Sequence, residues 1–251
     1  MTVRLSVLVL LLVPGLVGGP GLDASPLHRS SAAIAATEPR EPDVASLRPP
    51  IVWKPIPYGE RRRQQMGAYS ERHYGRWRWR LRRKLAIVEH YTTGTTWQGA
   101  WNLFAANTKH LDEYPGTCAH FIVHTDGTIY QLVPLSTRCR HTIGLNQLSI
   151  GIEHVGRSDA EVLGNARQMD ASLRLTLWLV AKYGLEIRNV IGHAESLRSP
   201  LRFERYPAWR CRTHADMAGP AMSTYRGRLR DRARAAGVPI GPAPEWVDIG
   251  C

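Results

Sequence analysis

The stretch "LAIVEHYTT", residues 85–93, decides the fold, because its apolar run is typical of a buried β-strand. Side chains alternate along a strand, so His90 shares one face with Ala86 and Val88, whereas Glu89 lies on the opposite face. An imidazole among aliphatic side chains destabilises a fold unless it has a polar partner. Taken alone, this pattern favours a hydrogen-bonded structural histidine over a metal ligand.

The surrounding sequence predicts an α/β fold with a central mixed β-sheet flanked by helices. Residues 118–133, "CAHFIVHTDGTIYQLV", predict a β-hairpin that turns at Asp126-Gly127, and residues 148–155 predict a further strand. Residues 166–183 lack Gly and Pro and predict a long core helix that stops at Gly184. The other predicted elements are a helix from Thr95 or Thr96 to about Lys109, a short strand in "RNVIGH" and a basic helix over residues 221–237. Strands that alternate with helices indicate an α/β protein, and the antiparallel hairpin makes the sheet mixed.

The length of 251 residues favours one large domain with appendages. Residues 1–24 carry an early Arg and an apolar run shorter than the ~20 residues of a spanning helix, so they predict a signal peptide, export and no stable membrane span. Residues 25–57 are rich in Pro, Ala, Ser and Gly and predict a flexible linker. The main domain is expected over residues 58–237, with a basic N-terminal extension at 58–84 and a C-terminal tail at 238–251.

The chain has four cysteines, which are Cys118, Cys139, Cys211 and Cys251. An exported protein meets an oxidising compartment, so the even number predicts two disulfides. Three pairings are compatible with the sequence. None of the cysteines lies in a CxxC pair, which argues against a cysteine-based zinc finger.

Much of the net charge of +12 lies between Arg61 and Lys84, where arginines alternate with Trp and Tyr. Such a segment can bind nucleic acid through phosphate contacts and stacking. For an exported protein, anionic cell-wall polymers or acidic lipid headgroups fit the charge at least as well, and a solvated basic face is the simplest interpretation. We therefore expect no nucleic-acid partner.

Polar residues follow the predicted strands in a pattern that suggests metal chemistry. His90 and Glu153 end two strands, His193 follows a third, and Asp216 lies further along the chain. Two imidazoles and a carboxylate suit zinc, and a neighbouring Glu153 that is not a ligand is placed to take a proton from water. The separations between these residues match no short metal-binding motif of the HExxH kind. Taken alone, Asp216 is also compatible with a helix cap.

Five segments occur in an order that identifies a family: "IVEHYT", "CAHFIVHTDGTIYQLV", "RHTIGLNQLSIGIEHVG", "VIGHAES" and "THADM". Together they resemble the zinc-dependent N-acetylmuramoyl-L-alanine amidases of the type 2 family, which are relatives of T7 lysozyme and the peptidoglycan recognition proteins. The resemblance covers about residues 85–217. It implies a central sheet flanked by helices, a zinc-floored groove, and hydrolysis of the amide that joins N-acetylmuramic acid to L-alanine in peptidoglycan. A muropeptide substrate and a secreted, cell-wall-associated protein follow as expectations.

The resemblance also implies roles for single residues. His90, His193 and Asp216 match the zinc ligands, and the last of these positions is Asp in some branches and Cys in others. Glu153 falls within the "SIGIE" phrase where the bacterial recycling amidases have their catalytic glutamate. The implied cofactor is therefore Zn²⁺, with Glu153 as the general base.

The remaining roles concern the groove. His141 matches a groove histidine and Asn146 the polar position beside it, and both are expected to contact substrate or to steady the site. His214 stands where many relatives have a Lys that stabilises the oxyanion, and Ala119 stands where some have a Tyr. A histidine can donate a hydrogen bond, so the oxyanion role is retained with a different pH dependence. The alternative function is a catalytically inactive peptidoglycan-binding module on the same fold.

Overall fold

Six strands form the central sheet of the computed structural model, which describes residues 43–251. They are β1 (Val52–Trp53), β2 (Ala86–Tyr91), β3 (Phe121–Val123), β4 (Ile129–Gln131), β5 (Ser149–His154) and β6 (Val190–Gly192). The strand order is β1-β4-β3-β5-β2-β6, and only β3 and β4 pair antiparallel. The predicted mixed sheet and its hairpin are confirmed, and β2 lies between two parallel neighbours.

Five α-helices accompany the sheet in the described part of the chain. They are α1 (Glu60–Tyr74), α2 (Trp97–Ala106), α3 (Asp159–Gly164), α4 (Ala166–Tyr183) and α5 (Gly219–Ala235). The Thr96 side chain caps α2 by accepting a hydrogen bond from the Gly99 N–H, and the helix ends at a left-handed Asn107, before the predicted Lys109. α4 ends at Gly184, whose φ of 60° favours glycine.

Helices cover both faces of the sheet. Ile87 of β2 packs in the larger core with Leu175 of α4 and Leu229 of α5. On the other face, Phe104 of α2 packs with Ile122 of β3. The predicted alternation of side chains between the two faces of residues 85–93 is therefore confirmed. It places His90, near the end of β2, on the face that α2 covers.

Regular structure is present before residue 58, where the main domain was expected to begin. Val52 and Trp53 pair in parallel with β4, and Ile56 is buried, so the predicted linker over residues 25–57 is wrong at its C-terminal end. Prolines around this segment suggested a linker, but they are compatible with an edge strand. The predicted signal peptide, residues 1–24, and the linker up to residue 42 lie outside the described residues.

The basic extension contains a helix that the sequence analysis did not predict. α1 is rich in arginine and lacks a regular apolar stripe, yet it buries Met66 and Tyr69 against Trp209. Arg62 is buried as well, and its guanidinium donates hydrogen bonds to the carbonyl oxygens of Phe104 and Thr117. Part of the basic charge therefore holds the loop that follows α2.

Two disulfides settle the cysteine pairing. Cys118 pairs with Cys139 within the core, and Cys211 pairs with Cys251, which ties the C-terminal tail to the loop before α5. Residues 43–251 contain no free cysteine. In that same part of the chain, no helix has both the length and the apolar character needed to cross a membrane.

Candidate active site

Three parallel strands deliver polar side chains to one edge of the sheet. His90 of β2 lies directly beside Glu153 of β5 in the register, so their side chains share a face. Glu89 pairs with Gly192 of β6, so His193 emerges from the sheet next to His90. Parallel strands place their carboxyl ends together, which brings these three residues to one groove although 103 residues separate His90 from His193.

His90, His193 and Asp216 converge on one point, and all three are buried. The Nδ1 atoms of the two histidines lie 3.0 Å apart, and each lies 3.2 Å from an oxygen of Asp216. Ligand atoms about 2.1 Å from a tetrahedral zinc lie about 3.4 Å from one another. The observed spacing and the nitrogen and oxygen donor set therefore fit a single ion of this kind.

Hydrogen bonds orient the first of these histidines. The Nε2 atom of His90 lies 3.1 Å from Nδ1 of His141 and 3.3 Å from Oγ1 of Thr142. When His90 donates its Nε2 proton to this pair, its Nδ1 lone pair points to the convergence point. The tautomer that a metal ligand requires is thus supported by neighbouring side chains.

Asp216 lies on a loop that is fixed by distant residues. Its carbonyl oxygen accepts a hydrogen bond from the Ala194 N–H at 2.9 Å. The Asp159 carboxylate accepts hydrogen bonds from the next two backbone N–H groups, Met217 at 2.9 Å and Ala218 at 3.0 Å. Burial alone would raise the pKa of the Asp216 carboxyl, but the adjacent imidazoles of His193 and His90 hold that pKa well below its usual range.

Glu153 lines the groove beside His90 without joining the three converging atoms. Burial raises the pKa of Glu153 from 4.5 to about 7, the charge of His90 opposes the rise, and the charge of Asp216 adds to it. A carboxyl group with a pKa near neutrality can both accept and return a proton.

The ring of His141 occupies space that is open because residue 151 is a glycine. Its ring lies over Gly151 of β5, where an added Cβ would come within 2.7 Å of the ring. Burial lowers the pKa of His141 well below its ordinary value, and the nearby His90 lowers it further. A neutral imidazole at this position can accept a hydrogen bond from the Nε2–H of His90.

Asn146 steadies the site, which is one of the two roles expected for it, and it does not line the groove. The residue is fully buried, its Oδ1 accepts hydrogen bonds from the N–H groups of His141 and Thr142, and its Nδ2 donates to the hydroxyls of Tyr69 and Tyr74. All of its polar atoms are used inside the protein. Asn146 fixes the turn that carries His141, and the sequence pattern could not separate that role from substrate contact.

His214 is exposed at the groove and stacks on His193, with ring centroids 4.9 Å apart. The groove encloses about 470 Å³. Leu103 and Phe104 of α2 form an apolar wall, and the exposed Lys109 adds positive charge. Ala119 is fully buried and does not line it.

Sequence reasoning missed two positioning contacts. Asp159 lies in the first turn of α3, where an acidic residue is ordinarily interpreted as a favourable helix charge, so nothing in the sequence points to its contact with Met217. Glu195 forms a buried, bidentate salt bridge with Arg226 of α5 and accepts a hydrogen bond from the Gly192 N–H. Both contacts hold segments that carry converging side chains.

Comparisons with known proteins found one family model and several similar solved structures. The family model described as N-acetylmuramoyl-L-alanine amidase (Amidase_2) matches residues 81–212, which include His90, Glu153 and His193 but stop before Asp216. The solved structures similar to this chain include the N-acetylmuramoyl-L-alanine amidase LysC from Clostridium intestinale URNW, at 18% identity over 73% of this chain and 99% of that chain with a TM-score of 0.47. They also include a selenomethionine derivative of AmpD, at 18% identity over 71% of this chain and 93% of that chain with a TM-score of 0.47. A third is Apis mellifera PGRP-SA, at 21% identity over 45% of this chain and 73% of that chain with a TM-score of 0.38. No curated protein matches the sequence. Because the family model spans more than half of its length, this chain belongs to the N-acetylmuramoyl-L-alanine amidase family.

Proposed function

We propose that this protein is a secreted, zinc-dependent N-acetylmuramoyl-L-alanine amidase that cleaves the amide between N-acetylmuramic acid and L-alanine in peptidoglycan. Membership of the family supports the amidase activity. The observation that carries the zinc dependence is the convergence of ligand atoms from His90, His193 and Asp216 within 4.8 Å of one another. Two disulfides support an oxidising, extracytoplasmic location.

The three converging side chains would hold the ion, and their chemistry suits it. Bound zinc supplies Lewis-acid polarisation of the scissile carbonyl and makes water more acidic. The carboxylate and two neutral imidazoles provide three protein ligands, as catalytic zinc sites do. Buried surroundings keep the donor set fixed before any substrate arrives.

Glu153 moves the proton in this proposal. Its carboxylate takes a proton from the attacking water and returns it to the departing nitrogen of L-alanine. The strand register beside His90 supports this role, and a pKa of about 7 suits both steps near neutral pH.

His214 stabilises the oxyanion in this proposal. Its ring is stacked on His193 and exposed to the groove, so an N–H can be directed at negative charge that develops on the scissile carbonyl. The cationic side chain of Lys109 suits a peptide that carries carboxylates, and the apolar wall of α2 suits its aliphatic parts.

The test measures bound metal together with release of stem peptide from purified sacculi. Wild-type protein is expected to contain one zinc per chain and to release peptide, and Glu153→Gln is expected to keep zinc and sacculus binding while kcat falls about 10²–10⁴-fold. Unchanged turnover in Glu153→Gln would remove Glu153 from the mechanism. Sacculus binding without peptide release by the wild type would instead support the binding module.

A further inference from the structure

A second cleft opens at the opposite end of the parallel strands. Leu85 and Leu148, which directly precede β2 and β5, line it, whereas the groove lies where those two strands end. The cleft encloses about 170 Å³. Five arginines line it, and they are Arg76, Arg78, Arg82, Arg83 and Arg138. Tyr74 and Gln147 complete the lining.

The positive charge in this arginine-lined cleft has no counter-charge from the protein. No carboxylate lines the cleft, and within residues 43–251 none of its five arginines forms a salt bridge. Other arginines on the same part of the chain are paired, since Arg72 contacts Glu113. The cleft is therefore a local concentration of unpaired cations in a concave surface.

Arg138 carries the strongest indication of a ligand, because it is only 5% exposed. Its guanidinium donates to neutral acceptors, the Ser70 hydroxyl at 2.7 Å and the carbonyl oxygens of Arg78 at 3.1 Å and Gln147 at 3.4 Å, and its Nε has no partner. Burial lowers the pKa of Arg138 to about 10, and the charge of Arg78 adds to the decrease. A buried charge without an opposite charge is costly, and an anion in the cleft would supply the missing partner.

The geometry of the guanidinium groups indicates which kind of anion the cleft would bind. Each offers five N–H donors in a planar fork that matches phosphate oxygens. Four of the five lie near the surface within residues 76–83, so their donors exceed what the oxygens of one phosphate can accept. Several phosphates in one molecule fit this arrangement.

Tyr74, the one aromatic residue that lines the cleft, argues against nucleic acid. The hydroxyl of Tyr74 accepts a hydrogen bond from Asn146, and the guanidinium of Arg138 lies over its ring. The guanidinium groups of Arg63 and Arg80 both lie against Trp79, 4.7 Å and 4.4 Å from its ring centroid. No ring in the cleft lining is thus free to stack on a base, although stacking supplies much of single-strand binding.

We propose that the arginine-lined cleft binds phosphate groups of a linear polyol-phosphate polymer. The inference is independent of the proposed amidase activity, because it concerns a separate surface. Binding there would hold the protein on an anionic polymer while the groove at the other end of the strands stays accessible.

The test titrates the full chain with fluorescently labelled poly(glycerol phosphate) and follows anisotropy. Arg76→Gln, Arg82→Gln and Arg83→Gln are combined in one variant. Its matched control removes the same charge at three exposed arginines outside the cleft, Arg61, Arg167 and Arg234. The cleft variant is expected to bind at least about tenfold more weakly than wild type, and the control less than about threefold. All six positions are on the surface, so thermal melting should remain unchanged in both variants.

Equal losses in the two variants would mean that binding follows net charge alone, and that result would overturn the proposal. Unchanged affinity in the cleft variant would do the same. Two further probes test the polymer class, a thymidine oligonucleotide with the same number of phosphates and vesicles of phosphatidylglycerol. If either binds as tightly as poly(glycerol phosphate) and loses affinity in the cleft variant, the assignment to a polyol-phosphate polymer is wrong.

Discussion

Replacement of Gly151 by alanine adds a single methyl group beside His141. It tests whether His141 positions His90. The new Cβ would lie 2.7 Å from Cγ, 2.8 Å from Nδ1 and 2.9 Å from Cδ2 of His141. Relaxed contacts between carbon atoms lie at about 3.5–4.0 Å, so the imidazole ring must move by about 1 Å. It cannot move that far and keep contacts of 2.9 Å with Thr142 Oγ1 and 3.1 Å with His90 Nε2.

Two results are expected from Gly151→Ala. Overpacking should lower the free energy of unfolding by about 1–3 kcal/mol, measured by urea denaturation of the metal-free protein. His90 loses the partner that fixes its tautomer, and loss of such a partner weakens metal binding by about 10–100-fold. Competition with a chelator of known zinc affinity measures the second effect.

Gly164→Ala is the matched control, because an added Cβ there meets no atom within 4 Å. It should leave zinc affinity unchanged. In a double-mutant cycle, Gly151→Ala combined with His141→Ala should bind zinc no more weakly than His141→Ala alone, since the clash is then removed. Equal zinc affinities in Gly151→Ala and Gly164→Ala would refute the claim that His141 positions His90.

Two further substitutions probe the surroundings of the site. Asp159→Ala removes the acceptor of two backbone N–H groups beside Asp216 and should weaken zinc binding about tenfold in chelator competition, whereas Glu161→Ala, which removes an exposed ion pair with Arg157, should not change it. Glu89 is fully buried, and burial raises its pKa from 4.5 to about 8, so the folded state binds more protons than the unfolded state between these values. The contribution of Glu89 to the stability of the metal-free protein should therefore fall as pH rises from 4.5 to about 8, so the stability of wild type relative to Glu89→Gln should decrease between pH 5, 7 and 8.5 in urea titrations. An equal pH dependence in wild type and Glu89→Gln would contradict the assignment.

The local parts of the fold could be predicted because they depend on neighbouring residues. Alternation along residues 85–93, the turn at Asp126-Gly127 and the stop at Gly184 each follow from short-range sterics and hydrogen bonding. α1 could not be predicted in this way. Its helix is held by tertiary contacts of Met66 and Tyr69, and by buried hydrogen bonds of an arginine that the sequence analysis interpreted as surface charge.

Asn146 marks the limit of residue-by-residue transfer from a family. The pattern placed it correctly beside His141, but it could not show which way the amide points. The direction of the Asn146 amide depends on Tyr69 and Tyr74 of α1. That helix precedes the residues that resemble the family. The sequence left two roles open for Asn146, substrate contact or support of the site, and the hydrogen bonds from α1 favour the second.

The position of Asp216 also depends on contacts that the sequence could not show, although the structure supports the position expected for it. Its convergence with His90 depends on three contacts that no spacing rule contains: the Ala194 N–H, the Asp159 carboxylate and the absent side chain of Gly192, where a Cβ would lie 1.7 Å from the Met217 carbonyl oxygen. Each contact comes from a different segment, and together they fix a loop that has no regular structure of its own. A carboxylate held in this way needs little further ordering to meet a cation, so the contacts that hold the loop should affect metal affinity more than they affect global stability.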